Sequence, residues 1–144
     1  MSLTLNVALT NPEPCIRKSE TVQDKLRQFH MAFKHPLDEE YPEVGHTIDM
    51  IKELRYKLID EEYKELIDAI ENKEAEEVLK ELCDLVYVCV GFAVSYGWNF
   101  DVAFNRVHHS NMSKLDSNGK PVYREDGKVA KSEGYQPPSL RGLV

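Results

Sequence analysis

Cysteine is scarce in this chain of 144 residues, and its three copies, Cys15, Cys83 and Cys89, are odd in number. That excludes a disulfide-framed scaffold, and the spacings do not match a zinc site. Cys83 and Cys89 fall in an apolar stretch and are expected to be buried small residues, with a reducing cytoplasm as the compartment. Positive charge is also short: 18 Lys and Arg stand against 25 Asp and Glu, for a net charge of −7. A general nucleic-acid polymer binder needs a basic footprint, so that class is set aside. Long hydrophobic runs are missing. Residues 85–94 form the longest, too short to span a bilayer, and the opening MSLTLNVALT lacks the basic region of a signal peptide. No membrane partner is expected. Seven glycines and seven prolines leave no low-complexity tract and no internal repeat.

What remains is the composition of one ordinary domain, 42% hydrophobic and 30% charged, large enough to bury a core. Residues 1–18 are an N-terminal arm in which Leu3, Leu5, Val7 and Leu9 alternate as in a short strand, ended by Pro12 and Pro14. Residues 19–115 form a helical domain. A first helix is predicted over 19–33, with Thr21 and Asp24 as a capping box, and 35–45 reads as a loop. Thr47 is the expected N-cap of a second helix ending near Glu71. Asn72 is expected to cap a third that stops near Gly97, and Asn99 a fourth that ends in HHSNMSK. Residues 116–144 belong to the same domain as a hairpin-like segment and tail. Asn118-Gly119 and Asp126-Gly127 mark turns there, and PVYR between them is a candidate strand. The fold class is all-α, a four-to-five-helix bundle with a small β-like or irregular C-terminal appendage.

Five carboxylates stand where helices should be apolar. On the second helix, Glu62 and Glu65 fall inside the arc of Ile51, Leu54, Leu58, Ile59, Leu66 and Ala69, and Glu61 falls at its edge. Both Glu62 and Glu65 are therefore expected to point towards the core. On the third helix, Glu81 and Asp84 share a face with Val88 and Phe92. Folding the two helices into an antiparallel hairpin about Asn72 sets Glu65 beside Glu81 and Glu62 beside Asp84, each pair level to roughly 3 Å of helical rise. Acids gathered in this way repel one another, and hard oxygen donors favour Mg²⁺ or Mn²⁺ as the neutralising cofactor. Glu74 and Glu77 have the same spacing but lie in the polar run ENKEAEE, a solvated face. A di-iron site would want a Glu-x-x-His pair on each of two helices, whereas the sequence has that spacing once, from Glu43 in the predicted loop to His46, and the glycine of DSNGK comes too early for an EF-hand.

E-E-x-x-E at 61–65, E-x-x-D at 81–84, and the segments LIDEEYKEL, ELCDLVYV, GWNFDVAF and VHHSNMSKLD together resemble the MazG-like all-α nucleoside triphosphate pyrophosphatases. These are relatives of dimeric dUTPases, dCTP pyrophosphatases and phosphoribosyl-ATP pyrophosphohydrolase. The resemblance implies a site completed by a homodimer or tetramer. It implies hydrolysis of a nucleotide, here a deoxynucleoside triphosphate, between its α- and β-phosphates to the monophosphate and pyrophosphate. By position Glu62, Glu65, Glu81 and Asp84 would hold Mg²⁺, and Glu61 would be a further ligand or orient the attacking water. Lys114 and Asn111 would contact the substrate's phosphates, with Lys120, Arg124, Lys128 and Lys131 giving the tail a basic bias. FHMAF at 29–33 resembles the base-bordering segment of dCTP pyrophosphatases, which implies substrate-binding roles for His30 and Phe33. Two other readings stay open: a phosphoribosyl-ATP pyrophosphohydrolase, and a non-catalytic helical adaptor whose acids are structural.

Overall fold

The structure, a computed structural model, describes residues 20–39 and 47–144. The expected N-terminal strand, Cys15 and most of the loop before the second helix lie outside the described residues. Four helices follow in order, α1 (Val22–Ala32), α2 (Ile48–Asn72), α3 (Ala75–Ser95) and α4 (Phe100–Met112). The chain is an all-α bundle, as its helical periodicity requires.

The caps explain where three of these helices begin. Thr21 Oγ1 accepts the Asp24 amide at 3.1 Å while Asp24 Oδ2 accepts the Thr21 amide at 3.0 Å, a reciprocal capping box. Thr47 accepts from the Met50 amide and Asn99 from the Val102 amide. The expected role of Asn72 is corrected. It is the last residue of α2, its side-chain amide donating back to the Asp68 carbonyl, and Glu74 stands at the N-cap of α3 with no side-chain cap bond. Asn72 is therefore satisfied within its own last turn, which leaves the start of α3 to its acidic first turn, Glu76 and Glu77.

The helix α3 is the hub, because α1, α2 and α4 all pack on it. Its buried residues Val90, Gly91, Ala93, Val94 and Ser95 are small, which lets neighbouring backbones approach. Leu26 of α1 meets Val90 and Val94 there, flanked by Leu37 and Phe100. Burying one such side chain contributes about 1.5–3 kcal/mol. The buried Gln23 ties α1 to the start of α4, donating to the Trp98 carbonyl at 2.8 Å and accepting the Asp101 amide at 3.0 Å. Gly97 ends α3 at φ +68°, where a Cβ would also come within 3.2 Å of Asp38 Cα. That closeness seats the 35–39 segment on α3, with the Asp38 and Glu39 amides donating to the Val94 and Ser95 carbonyls.

The C-terminal segment has less regular structure than its composition suggests. PVYR is not a strand. Tyr123 and Val129 form an isolated antiparallel bridge around the Asp126-Gly127 turn, too short a pairing to sustain a sheet. Beyond it the tail runs antiparallel along α4. Ser110 Oγ donates to the Gln136 carbonyl, Arg106 Nη1 to the Ser139 and Arg141 carbonyls, and the Asn99 amide to the Leu143 carbonyl.

One more expectation fails on α3. Cys83 and Cys89 are exposed, not buried. They share that exposure with Leu79, Leu82 and Val86, and the facing helix α2 exposes Tyr63, Ile67 and Ile70. The helix is apolar on more sides than the described residues cover. No helix among the described residues is long and apolar enough to cross a membrane.

Candidate metal centre

The α2–α3 hairpin brings together Glu62, Glu81 and Asp84. One oxygen from each lies within 4.8 Å of the others, the spacing of ligands about one ion. Glu81 is buried, at 5% exposure, while Glu62 and Asp84 are half-buried. The expected register is nearly met: Glu62 reaches both acids of α3. Glu65, expected to face the core, is exposed instead. It lines an open cleft of about 380 Å³ with Lys64, Asp68, Lys73, Glu77 and Glu81. Glu61 is exposed as well.

Electrostatics place Glu62 at the centre of the five. Its carboxyl is held above the usual range, first by burial and then by the charges of Glu65, Asp84, Glu61 and Glu81. All four other acids are thus close enough to Glu62 to disfavour its ionisation. Lys80 partly offsets this, a residue the sequence pattern did not single out. Its Nζ lies 2.9 Å from Glu81 Oε1 and 3.0 Å from Asp84 Oδ2. The side-chain bond to Glu81, then that to Asp84, raises the ammonium's pKa above its ordinary value. The signal for it was present as the i, i+4 relation of Lys80 to Asp84.

Among the described residues Glu81 Oε2 has no hydrogen-bond partner, and it is buried. A buried carboxylate oxygen left unpaired is strongly unfavourable unless a cation meets it. The donor set is all carboxylate oxygen, with no thiol or imidazole, which suits a hard divalent ion such as Mg²⁺ or Mn²⁺. On both counts the residues fit a divalent metal.

The other candidates lie elsewhere. Lys114 Nζ donates to Asn111 Oδ1 at 2.8 Å. Among the described residues neither is bonded or ion-paired to the five acids, and α4 makes no helix contact with α2. Phe33 is 66% exposed and packs its ring on Phe29, with centroids 4.4 Å apart. Phe29 also stacks on His35 and meets Tyr87 edge-on. His30 is 1% exposed, so within this chain its ring faces the interior rather than an open pocket. Its Nδ1 lies 2.7 Å from the Pro36 carbonyl, so Nδ1 carries the proton and Nε2 is bare. Nε2 points at Gly91, whose missing side chain leaves room for it and for Arg55 Nη1. Burial, ahead of the nearby Arg55, His35 and Arg27 charges, lowers the His30 pKa to about 4.

Over residues 26–111, more than half of its length and all five acids, the chain matches the family described as phosphoribosyl-ATP pyrophosphohydrolase. An uncharacterized protein of Acanthamoeba polyphaga mimivirus is 30% identical over 108 residues. That similarity covers 73% of this chain and 38% of the viral protein, so the chain spans well under half of that relative.

Proposed function

The chain belongs to the phosphoribosyl-ATP pyrophosphohydrolase family, and on that premise we propose that it hydrolyses a nucleoside triphosphate between the α- and β-phosphates with Mg²⁺ or Mn²⁺. The products are the nucleoside monophosphate and pyrophosphate. The observation that carries this reading is the Glu62–Glu81–Asp84 cluster with its buried, unpartnered Glu81 oxygen.

Glu62, Glu81 and Asp84 would hold the metal, with Glu65 at the cleft edge as a fourth ligand. A divalent ion held there would supply positive charge to the phosphate oxygens and to the departing pyrophosphate. The chain's own groups do the rest. Glu61, exposed on the same helix, holds a water through its carboxylate and takes its proton as the water attacks phosphorus. The Lys114 ammonium, oriented by Asn111, offers positive charge to the phosphates. Neither residue is bonded to the five acids within one chain, and in this reading the pair would meet them across a homodimer interface. The exposed apolar residues of α2 and α3 supply such a surface. Phe33, exposed beside Phe29, would border the base.

A second reading concerns the substrate alone. The match to the phosphoribosyl-ATP pyrophosphohydrolase family favours phosphoribosyl-ATP in place of a deoxynucleoside triphosphate. One assay separates them: pyrophosphate release with Mg²⁺ or Mn²⁺ across deoxynucleoside triphosphates, ribonucleoside triphosphates and phosphoribosyl-ATP. Release from a deoxynucleotide supports the first reading, and release from phosphoribosyl-ATP alone supports the second. No release from any of them, together with no tight divalent binding, leaves the non-catalytic adaptor.

A further inference from the structure

We propose that Lys80 is a built-in competitor of the metal: its ammonium occupies Glu81 and Asp84 in the metal-free chain and must leave them when the ion binds. The inference rests on the metal reading of the acid cluster. It deepens that reading by naming the group that sets how tightly the site binds.

Three observations converge on it. Both ion pairs of Lys80 go to members of the ligand triad, Glu81 Oε1 at 2.9 Å and Asp84 Oδ2 at 3.0 Å. Its position on α3 makes this arrangement local, because residues four apart share a helix face and the neighbour at 81 lies within reach of a long stem. The ammonium satisfies only one oxygen of Glu81, and Oε2 stays buried and unpartnered. A monovalent group that reaches the site from its own helix is thus an incomplete counter-ion. A divalent ion brings twice the charge and sits closer to the oxygens, near 2.1 Å for Mg²⁺. Two cations on the same carboxylates repel each other, so metal binding displaces the lysine. The side chain is 58% exposed, which gives it open space to move into.

Lys64, one of the two lysines that line the cleft beside Glu65 and Glu81, does not share the role. Lys64 Nζ is 2.6 Å from Asp60, an acid outside the cluster. It carries the same charge nearby without occupying a ligand oxygen, and so serves as the control for long-range electrostatics.

The test is calorimetric titration of the full chain with MnCl₂ in wild type, Lys80→Gln, Lys80→Arg and Lys64→Gln. Two ion pairs made by a largely exposed ammonium predict that Lys80→Gln binds Mn²⁺ about 3- to 30-fold more tightly. Lys80→Arg, which keeps the charge, should stay within about threefold of wild type, and Lys64→Gln within about twofold. The inference is overturned if Lys80→Gln binds no more tightly than wild type, or if Lys64→Gln tightens binding as much. If wild type takes up no Mn²⁺ or Mg²⁺ at all, the metal reading fails first and this one with it. Should Lys80→Gln not fold, nitrogen-detected NMR of the lysine ammonium groups in wild type decides. Adding Mg²⁺ must shift the Lys80 resonance and leave that of Lys64 in place, and an unmoved Lys80 signal rejects the displacement.

Discussion

A carboxyl oxygen of Glu62 on α2 lies within 4.8 Å of one on Glu81 of α3, although Glu81 is buried and Glu62 half-buried. Two acids from separate helices meet in this way at a cost to the fold, seen as the raised pKa of Glu62. A raised carboxyl pKa means the folded chain holds the proton more firmly than the unfolded one. Protonation therefore stabilises the fold, and this gain is lost as pH rises through the folded-state value. Without metal, Glu62→Gln should melt about 2–4 °C higher than wild type at pH 8. The gap should close as the pH falls towards 4.5, the ordinary value for Glu. Melting curves in EDTA across pH 4.5–8 check this, and a Gln variant less stable than wild type at pH 8 would refute it.

His30 works in the opposite direction. Its folded-state pKa of about 4 lies below its ordinary 6.5. The neutral ring stabilises the fold above pH 6.5, and that contribution is lost as pH falls from 6.5 towards 4. His35, also lowered by burial and by Arg55, shares part of the window. Urea unfolding at pH 7.5 and 4.5 should show His30→Gln losing less stability on acidification than wild type, by on the order of 2 kcal/mol. Equal losses in both proteins would mean the ring is not held neutral.

Gly91 is required by close approach rather than by backbone conformation. A Cβ there would stand 3.1 Å from His30 Nε2 and 3.2 Å from Arg55 Nη1. Both side chains are buried, so neither can swing away freely. Gly91→Ala should cost about 1–3 kcal/mol of stability by chemical denaturation, as overpacking does. No loss would show that the α1–α3 contact is looser than described.

The tail is fastened to α4 through main-chain carbonyls, chiefly by Arg106 at Ser139 and Arg141. Removing those charged donors in Arg106→Ala should raise trypsin cleavage after Arg141 about tenfold, with little change in the global melt. Mass spectrometry of timed digests measures it. Unchanged cleavage would place the tail's attachment elsewhere.

Much of this was legible in the sequence. Thr21, Thr47 and Asn99 marked helix starts because a cap is a local property of a few residues. The convergence of Glu62 with Glu81 and Asp84 followed from counting residues on either side of a turn, since helical rise is fixed. The misses concern what a single chain covers. Cys83, Cys89 and Glu65 lie in apolar arcs, a pattern that predicts burial, but periodicity identifies an apolar face without saying what packs on it. Asn72 fits the α3 N-cap by type, yet its amide is used by Asp68 of the preceding turn. Lys80, one lysine in an acidic helix, has the sequence signature of solvated charge, and only its partners Glu81 and Asp84 distinguish it. The resemblance to nucleotide pyrophosphatases and the family match meet at the coarse level, pyrophosphohydrolase chemistry, whereas the base-reading residues left no pattern of comparable specificity.

The most direct test of the acid cluster as a metal centre is a crystal structure of the wild-type protein grown with Mn²⁺, with data collected for anomalous scattering. The expected result is a manganese peak between α2 and α3, roughly 2–2.4 Å from oxygens of Glu62, Glu81 and Asp84, with Lys80 turned away. A map with no peak there at saturating Mn²⁺, and Lys80 still paired with Glu81 and Asp84, would contradict it.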